Sequence, residues 1–254
     1  MEQITTISFF RFTSFKTKLW AFGMMQFAHK PMKQVAGLEL YKLLGTGKAA
    51  FNPMPDWSVY AILQIWENEE VANRFFLSHR LFKKYEKKSN QHWVLFLKNR
   101  MTRGVWGGVN PFQQSKTIDK GIPLVVALTR ATIKIRKLRT FWKYVPHSQT
   151  DLMSNQGLIY TKGVGEVPFK QMATFSLWKD EESLNTFAYR TKGHLGAIGK
   201  TREVNWYKEE LFARFQPFRS IGNWGIKPLN LDVITAGKMK KMQRKLPEPN
   251  RGAN

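Results

Sequence analysis

Residues 59–75 read VYAILQIWENEEVANRF, and residues 171–187 read QMATFSLWKDEESLNTF. A shift of 112 positions aligns the two segments, and six of the 17 aligned positions are identical. The identical pairs are Ala61/Ala173, Trp66/Trp178, Glu69/Glu181, Glu70/Glu182, Asn73/Asn185 and Phe75/Phe187. This internal repeat predicts two copies of one supersecondary unit, each of about 100 residues.

Weaker matches between the two copies continue upstream of these segments. Their shifts differ slightly, as small insertions and deletions in loops would produce. The aligned pairs are Arg11/Arg130, Thr13/Thr132, Lys18/Lys137, Leu19/Leu138, Phe22/Phe141, Gly37/Gly157, Leu38/Leu158, Lys42/Lys162 and Gly45/Gly165. The repeat therefore accounts for most of the chain.

The spacing of apolar residues predicts the order strand, helix, strand, strand, helix, strand in each copy. In the first copy we expect strands at 4–12, 37–44, 59–66 and 93–97, with a turn at 45–47. Its helices are predicted at 16–27 and after the N-cap residue Asn68, where Val71, Phe75 and Phe82 form one apolar stripe. In the second copy we expect strands at 124–129, 158–163 and 172–178, a helix at 136–144 and a helix capped by Asp180, and residues 206–215 lead into the final strand.

This βαββαβ order is typical of ferredoxin-like units. The predicted fold class is α+β, with two tandem ferredoxin-like repeats whose sheets pair into one α/β barrel with helices outside. We expect the first repeat at residues 1–108, a connection at 109–121 and the second repeat at 122–226. A basic, disordered tail is expected at 227–254.

Composition excludes several classes of protein. The chain has 254 residues and no cysteine, so disulfides, thiol nucleophiles and a thiolate-ligated haem are ruled out. It has no run of about 18 uncharged apolar residues, and its start lacks the pattern of a secretory signal. We therefore expect a cytoplasmic protein without a spanning helix.

The net charge of +23 indicates attraction to a polyanion. The polyanion could be the anionic face of a membrane or a nucleic acid, and the plain alternative is a well-solvated basic surface. The aromatic residues recur at core spacing rather than as an exposed stacking platform among lysines, which argues against nucleic acid.

The histidines carry most of the remaining chemical information, because phosphate-loop, dinucleotide, zinc-helix and nucleophile-elbow motifs are missing from the sequence. His194 lies at the edge of the apolar stripe of its predicted helix and aligns with the core position Phe82. Its neighbours Gly193, Gly196, Ala197 and Gly199 are small. Each glycine costs a helix about 1 kcal/mol, so a bulky group packed there, such as a haem ligated by the imidazole, would explain the segment. The alternative is that His194 simply ends a helix.

Seven segments carry a resemblance to a known family, and the resemblance runs over nearly the whole of residues 4–225. They read SFFRF at 8–12, LWAF at 19–22, VYAI at 59–62, ALTRATI at 127–133, GEVP at 165–168, FSLW at 175–178 and WYKEELFARF at 206–215. On these segments the chain resembles the spheroidene monooxygenase family of carotenoid-oxidising enzymes. The basic tail is not part of the resemblance.

The resemblance implies a haem-dependent monooxygenase of carotenoid biosynthesis. It would insert oxygen from O₂ at C2 of acyclic carotenoids, with reduced ferredoxin as the electron donor. It also implies kinship with the dimeric α/β-barrel haem proteins, in which a helix histidine ligates iron. A carotenoid dissolves in membranes, so the basic surface would hold the enzyme peripherally at the inner face of the membrane.

The resemblance also suggests roles for individual residues. His194 matches the histidine of the family's helix pattern and would ligate the haem iron, with His79 as the next residue to test. Arg130 would be catalytic, donating to bound oxygen or to a haem propionate, and a surface salt bridge is the alternative. Two other classes stay open: a haem- or flavin-dependent oxygenase with a different apolar substrate, and a non-catalytic polyanion-binding protein.

Overall fold

A computed structural model describes residues 2–48, 54–144, 152, 155–190 and 203–225. In these residues eight antiparallel strands close into a barrel with helices outside. The strands are β1 (Ile4–Arg11), β2 (Leu38–Gly47), β3 (Pro55–Trp66), β4 (Gln91–Gly104), β5 (Val125–Ile133), β6 (Leu158–Val167), β7 (Gln171–Trp178) and β8 (Tyr207–Gly222). The helices are α1 (Phe15–Phe27), α2 (His29–Lys33), α3 (Glu69–Ser78), α4 (Arg80–Lys88), α5 (Leu138–Tyr144) and α6 (Glu181–Arg190).

The strand order confirms two ferredoxin-like repeats joined in one barrel. The first repeat has the order β4-β1-β3-β2, and the second has the same order, β8-β5-β7-β6. Strand β2 pairs with β6 and β4 pairs with β8, so two seams close the barrel. Gly45 pairs with its own repeat equivalent, Gly165, at the β2–β6 seam. The proposed domain boundaries stay predictions, and the tail from residue 227 lies outside the described residues.

The repeated segments occupy equivalent positions, as the alignment predicts. Trp66 of β3 pairs with Ile4, the first residue of β1. In the same way, Trp178 of β7 pairs with Val125, the first residue of β5. Both indoles are fully buried. Their rings lie 5.1 Å from Phe75 and 5.4 Å from Phe187, respectively. The duplication is therefore structural and is not a coincidence of composition.

The helix caps match the prediction, but the second helix of the first repeat does not. Asn68 accepts from the Val71 amide at 3.0 Å, and Asp180 accepts from the Ser183 amide at 2.7 Å. The single helix predicted after Asn68 is wrong, because the chain breaks at His79 into α3 and α4. The extended backbone of His79 starts a new helix, and its ring accepts from the Leu81 amide.

Several predicted boundaries in the strands are also wrong. The turn expected at 45–47 lies within β2, because pairing with β6 at the seam extends the strand. Strand β4 continues to Gly104 through its ladder with β8, well beyond the predicted 93–97. The alignment of Arg11 with Arg130 is off by two residues. Arg130 pairs with Ala173, so its equivalent is Phe9, which pairs with Ala61.

Side chains that alternate along the strands form two separate layers. One set points into the barrel and packs as its core, including Phe9, Trp93 and Phe175. The opposite set of the first repeat, including Phe10 and Phe96, packs beneath α3 and α4, where Phe10 contacts Phe82 of α4. Both faces of the first repeat's sheet are thereby buried.

Candidate functional site

A cavity of about 950 Å³ lies on the outer face of the second repeat and extends across the β2–β6 seam. On β5 its lining consists of Ala127, Thr129, Ala131 and Ile133, whereas the alternate residues Val126 and Leu128 belong to the barrel core. The cavity therefore lies outside the barrel wall. Its volume is at the upper end of the range of about 300–1,000 Å³ that is typical of small-molecule and cofactor sites.

The cavity exists because outward-facing positions that are bulky in the first repeat are small in the second. The strand registers define three equivalent pairs: Phe10/Ala131, Leu43/Gly163 and Ile62/Thr174. The first member of each pair is buried under helices, and the second lines the cavity. A Cβ placed on Gly163 would meet nothing within 4 Å, so this glycine leaves open space above the sheet.

Sequence reasoning missed these small residues. The signal for them lies in the internal alignment, where large apolar residues of one copy align with small residues of the other. The alignment already matched Ile62 with Thr174 and Leu43 with Gly163, whereas the pair Phe10/Ala131 needed the register of β1 and β5, which the alignment missed by two residues.

Helices α5 and α6 supply walls of the cavity. Phe141 and Trp142 on α5 line it, and so do Leu184 and Phe187 on α6. The Trp142 indole donates to a backbone carbonyl oxygen, that of Phe169, at 3.1 Å. These walls are largely aromatic, so the second repeat offers an apolar ligand a flat, water-poor surface.

The far end of the cavity lies in the first repeat, beside α1. Its lining there includes Phe22, Met25, Trp57 and Tyr60. The rings of Phe22 and Trp57 are 4.9 Å apart, and both side chains are about half exposed. The cavity thus runs from α6 to α1 and opens to solvent at an aromatic rim.

Two ion pairs connect the repeats beside the cavity. Lys42 of β2 reaches Glu166 of β6 at 2.8 Å, and its repeat equivalent Lys162 reaches Asp56 of β3 at 2.7 Å. Burial raises the pKa of Asp56, but hydrogen bonds from Lys162 and Ser58 and the Lys162 charge lower it overall. Identical lysines at equivalent positions were the sequence signal for these two ion pairs, whose acidic partners are not equivalent.

Arg130 lies inside the barrel rather than on the cavity wall. Its side chain is 4% exposed, donates to Glu209 and lies 3.8 Å from Glu166. Burial lowers its pKa, and the Glu166 charge opposes that shift. The described cavity lining includes Glu166 but not Arg130. The salt bridge considered as the alternative role is therefore present, although it is buried and not on the surface.

The carboxylates around Arg130 also hold the segment that follows β4. Glu209 accepts from the amides of Gly107 and Gly108 at 3.1 and 2.9 Å. Glu166 accepts from the Trp106 indole at 2.7 Å. Arg130 thus sits at the centre of a buried polar cluster that joins β5, β6 and β8 to the connection between the repeats.

The described histidines all lie in the first repeat and outside the cavity lining. His29 bonds Tyr41 at 3.0 Å, His79 caps α4 and stacks on Phe75, and His92 packs edge-on against Phe82. Burial lowers the pKa of both His79 and His92. Within the described ranges, no three His, Asp or Glu side chains are grouped to hold a metal ion.

The remaining two histidines, His147 and His194, lie outside the described residues. In sequence they follow α5 and α6, the two helices that line the cavity. Nothing in the structure therefore tests His194 as a ligand, and that role stays a prediction.

The sequence of the chain is similar to those of known proteins. The chain is 36% identical to spheroidene monooxygenase of Cereibacter sphaeroides, over 92% of this chain and 72% of that protein. It is 35% identical to spheroidene monooxygenase of Rhodobacter capsulatus, over 91% of this chain and 97% of that protein. No family model matches the chain.

The solved structure of an aldoxime dehydratase in complex with butyraldoxime shares the fold. It has a TM-score of 0.56 and 10% sequence identity, over 85% of this chain and 80% of that chain. The fold and the cavity define an α+β barrel with a large, mainly apolar cavity. The sequence matches define the family: the chain belongs to the spheroidene monooxygenase family, which is a family of oxygenases.

Proposed function

We propose that the protein inserts oxygen from O₂ at C2 of an acyclic carotenoid, as a step of carotenoid biosynthesis. One oxygen atom would form the new C–O bond at C2 and the other would leave as water. Reduced ferredoxin would supply the electrons and solvent the protons. The observation that carries this proposal is the apolar cavity that crosses both repeats, in a chain whose relatives are named spheroidene monooxygenase.

The shape and lining of the cavity support a long apolar substrate. Aromatic side chains line both ends, Phe187 and Trp178 in the second repeat and Phe22 and Trp57 in the first. Between them the floor is made of small residues, including Gly163 and Thr174. Such a groove binds an extended hydrocarbon by burial of apolar surface, at about 25 cal/mol per Å².

The cavity also fits a haem, the cofactor that would activate O₂ when bound. The donor chemistry is suitable, because the lining combines aromatic side chains with two basic ones, Arg103 and Arg214, which would hold carboxylate groups. Arg214 already pairs with Glu181 at 3.1 Å, so it is fixed in place. We propose that His194 would ligate the haem iron, because the described histidines are engaged elsewhere and α6, which precedes His194, lines the cavity.

The protein's own residues would bind and orient the substrate and exclude water. The indole of Trp178 and the ring of Phe187 stack 5.4 Å apart and form a rigid end wall. Arg130, proposed from the resemblance as catalytic, is buried with Glu209 and Glu166. Its contacts support a positioning role through Glu166, which itself lines the cavity.

Within the described residues, no helix is long and apolar enough to cross a membrane. We propose a cytoplasmic enzyme that associates peripherally with an anionic membrane surface, where its substrate dissolves. The net charge of +23 supports this association.

Product analysis with ¹⁸O₂ tests the proposed function. The purified protein, with reduced ferredoxin and spheroidene, should yield a carotenoid that carries ¹⁸O at C2. The absorption spectrum should show a Soret band, and His194→Ala should lose the band while His79→Ala keeps it.

Each other outcome points to a different class. A flavin spectrum without a Soret band would replace the haem proposal. Salt-sensitive binding to nucleic acid, with no oxidised product, would favour the polyanion-binding alternative.

A further inference from the structure

We propose that the exposed apolar face of α1 inserts into the headgroup region of an anionic bilayer and places the rim of the cavity on the membrane. This inference rests on the proposed function only for what the contact would achieve, namely access of an apolar substrate to the cavity. The contact itself follows from the exposure, charge and position of α1.

Helix α1 has two unlike faces. One face, with Ala21 and the partly buried Trp20 and Met24, packs on the outer layer of the first repeat. The opposite face presents Phe15 and Leu19, which are 79% and 58% exposed, and continues to Phe22. Spacings of four and three residues place these side chains on one stripe of the helix.

Since the other face of α1 is already buried, packing among the described residues does not explain the apolar side chains of the solvent-facing stripe. Contiguous exposed apolar patches of this kind mark interaction sites. Its neighbour Phe22 contacts Trp57, which is 52% exposed, and Met54 nearby in sequence is also exposed. The stripe therefore continues into an aromatic patch on β3.

The charge around the stripe is complementary to anionic lipid. Residues 3–38 contain no Asp or Glu, and they carry Arg11, Lys16, Lys18, Lys30 and Lys33. Lys16 and Lys18 lie on α1 itself, beside Phe15 and Leu19. An apolar stripe with flanking lysines on a helix is the pattern of an interfacial membrane contact.

The stripe is also continuous with the cavity. Phe22 belongs to both, since it extends the stripe of α1 and lines the cavity together with Trp57. A bilayer in contact with α1 would therefore meet the open end of the cavity, and an apolar molecule could pass between them without crossing water. This continuity favours a bilayer over a protein partner.

The experiment measures co-sedimentation of the purified protein with phosphatidylglycerol/phosphatidylcholine vesicles, without substrate. Phe15→Ser/Leu19→Ser leaves the charge unchanged and removes two side chains that do not line the cavity. We expect it to weaken vesicle binding on the order of tenfold or more, from the lost apolar burial. Leu77→Ser is the matched control, because Leu77 is 76% exposed on α3 and lies outside the cavity lining.

Wild-type binding by the double variant, or equal loss in the Leu77→Ser control, would overturn the inference. A wild-type dimer that the double variant dissociates, with vesicle binding unchanged, would also overturn it and assign the stripe to a second copy of the chain. The double variant should oxidise detergent-dispersed carotenoid as fast as the wild type. If the wild type itself forms no product, the proposed function fails while the vesicle result still decides this inference.

Discussion

The two repeats share one topology but cover the outer faces of their sheets differently. In the first repeat, α3 and α4 seal the sheet with a dense aromatic layer, in which Phe76 contacts Phe82 and Phe96 at 4.9 and 5.3 Å. In the second repeat the same face carries alanine, glycine and threonine and holds the cavity. Duplication therefore allows one copy to stabilise the barrel while the other copy gives up packing and forms a cavity, which we propose as the binding site.

This division has a physical cost that the first repeat offsets. Each buried large apolar side chain contributes about 1.5–3 kcal/mol, and the second repeat forgoes that contribution at Ala131, Gly163 and Thr174. The arrangement is typical of functional sites, where local packing is sacrificed and stability comes from elsewhere.

The largest expected effect comes from refilling the cavity. Gly163→Phe places a ring in the open space above β6, where a Cβ meets nothing within 4 Å. We expect carotenoid turnover to fall about 100-fold or more, since even a small misplacement of a substrate can cost that factor. The measurement is product formation per folded protein.

Gly163→Ala is the matched control for this substitution. It adds one methyl group at the same site, so turnover should fall far less than with phenylalanine. Equal activity of the Phe variant and the wild type would show that the substrate does not occupy the cavity.

The next effect concerns Arg130, a charged residue at the position that an aromatic core residue occupies in the first repeat. Phe9 packs in the barrel, and its equivalent Arg130 bonds Glu209 there. Arg130→Met should lower the free energy of unfolding by about 3–5 kcal/mol, because Glu209 loses its guanidinium partner. Among the described residues, this carboxylate then keeps only the Gly107 and Gly108 amides as donors.

Adding Glu209→Gln to Arg130→Met should recover part of that loss in urea denaturation. A catalytic role for Arg130 would appear as lost turnover in the fraction of Arg130→Met that remains folded. Loss of less than about 1 kcal/mol for Arg130→Met would contradict the buried cluster as a structural element.

The smallest effect concerns the ion pair between Asp56 and Lys162, which connects the repeats. Asp56→Asn should cost about 1–2 kcal/mol at pH 7, because the carboxylate holds Lys162. The lowered pKa of Asp56 stabilises the fold above the unfolded-state pKa of about 3.9, and this contribution is lost as the pH falls through the folded-state pKa. The gap between wild type and Asp56→Asn should therefore shrink in acid.

Glu70→Gln serves as the control, since Glu70 is exposed and its pair with Arg74 spans one helical turn. Its free energy of unfolding should follow the wild type over the same pH range. A gap for Asp56→Asn that does not change between neutral and acid pH would argue against the charge as the source of stability.

The sequence predicted the repeat, the strand order and the barrel, because these depend on local periodicity and on pairs such as Trp66/Trp178. It failed where tertiary contacts decide. The seam converts 45–47 from turn to strand, and the cap at His79 divides one helix into two. The cavity was not predicted because it depends on the difference between the repeats, which a search for likeness passes over.

The central claim is that the outer face of the second repeat binds the carotenoid. A crystal structure of the protein with a bound acyclic carotenoid tests it most directly. We expect the polyene to lie over Gly163 and to extend from Phe187 towards Trp57. A carotenoid bound elsewhere, for example against α3 and α4 of the first repeat, would contradict the account.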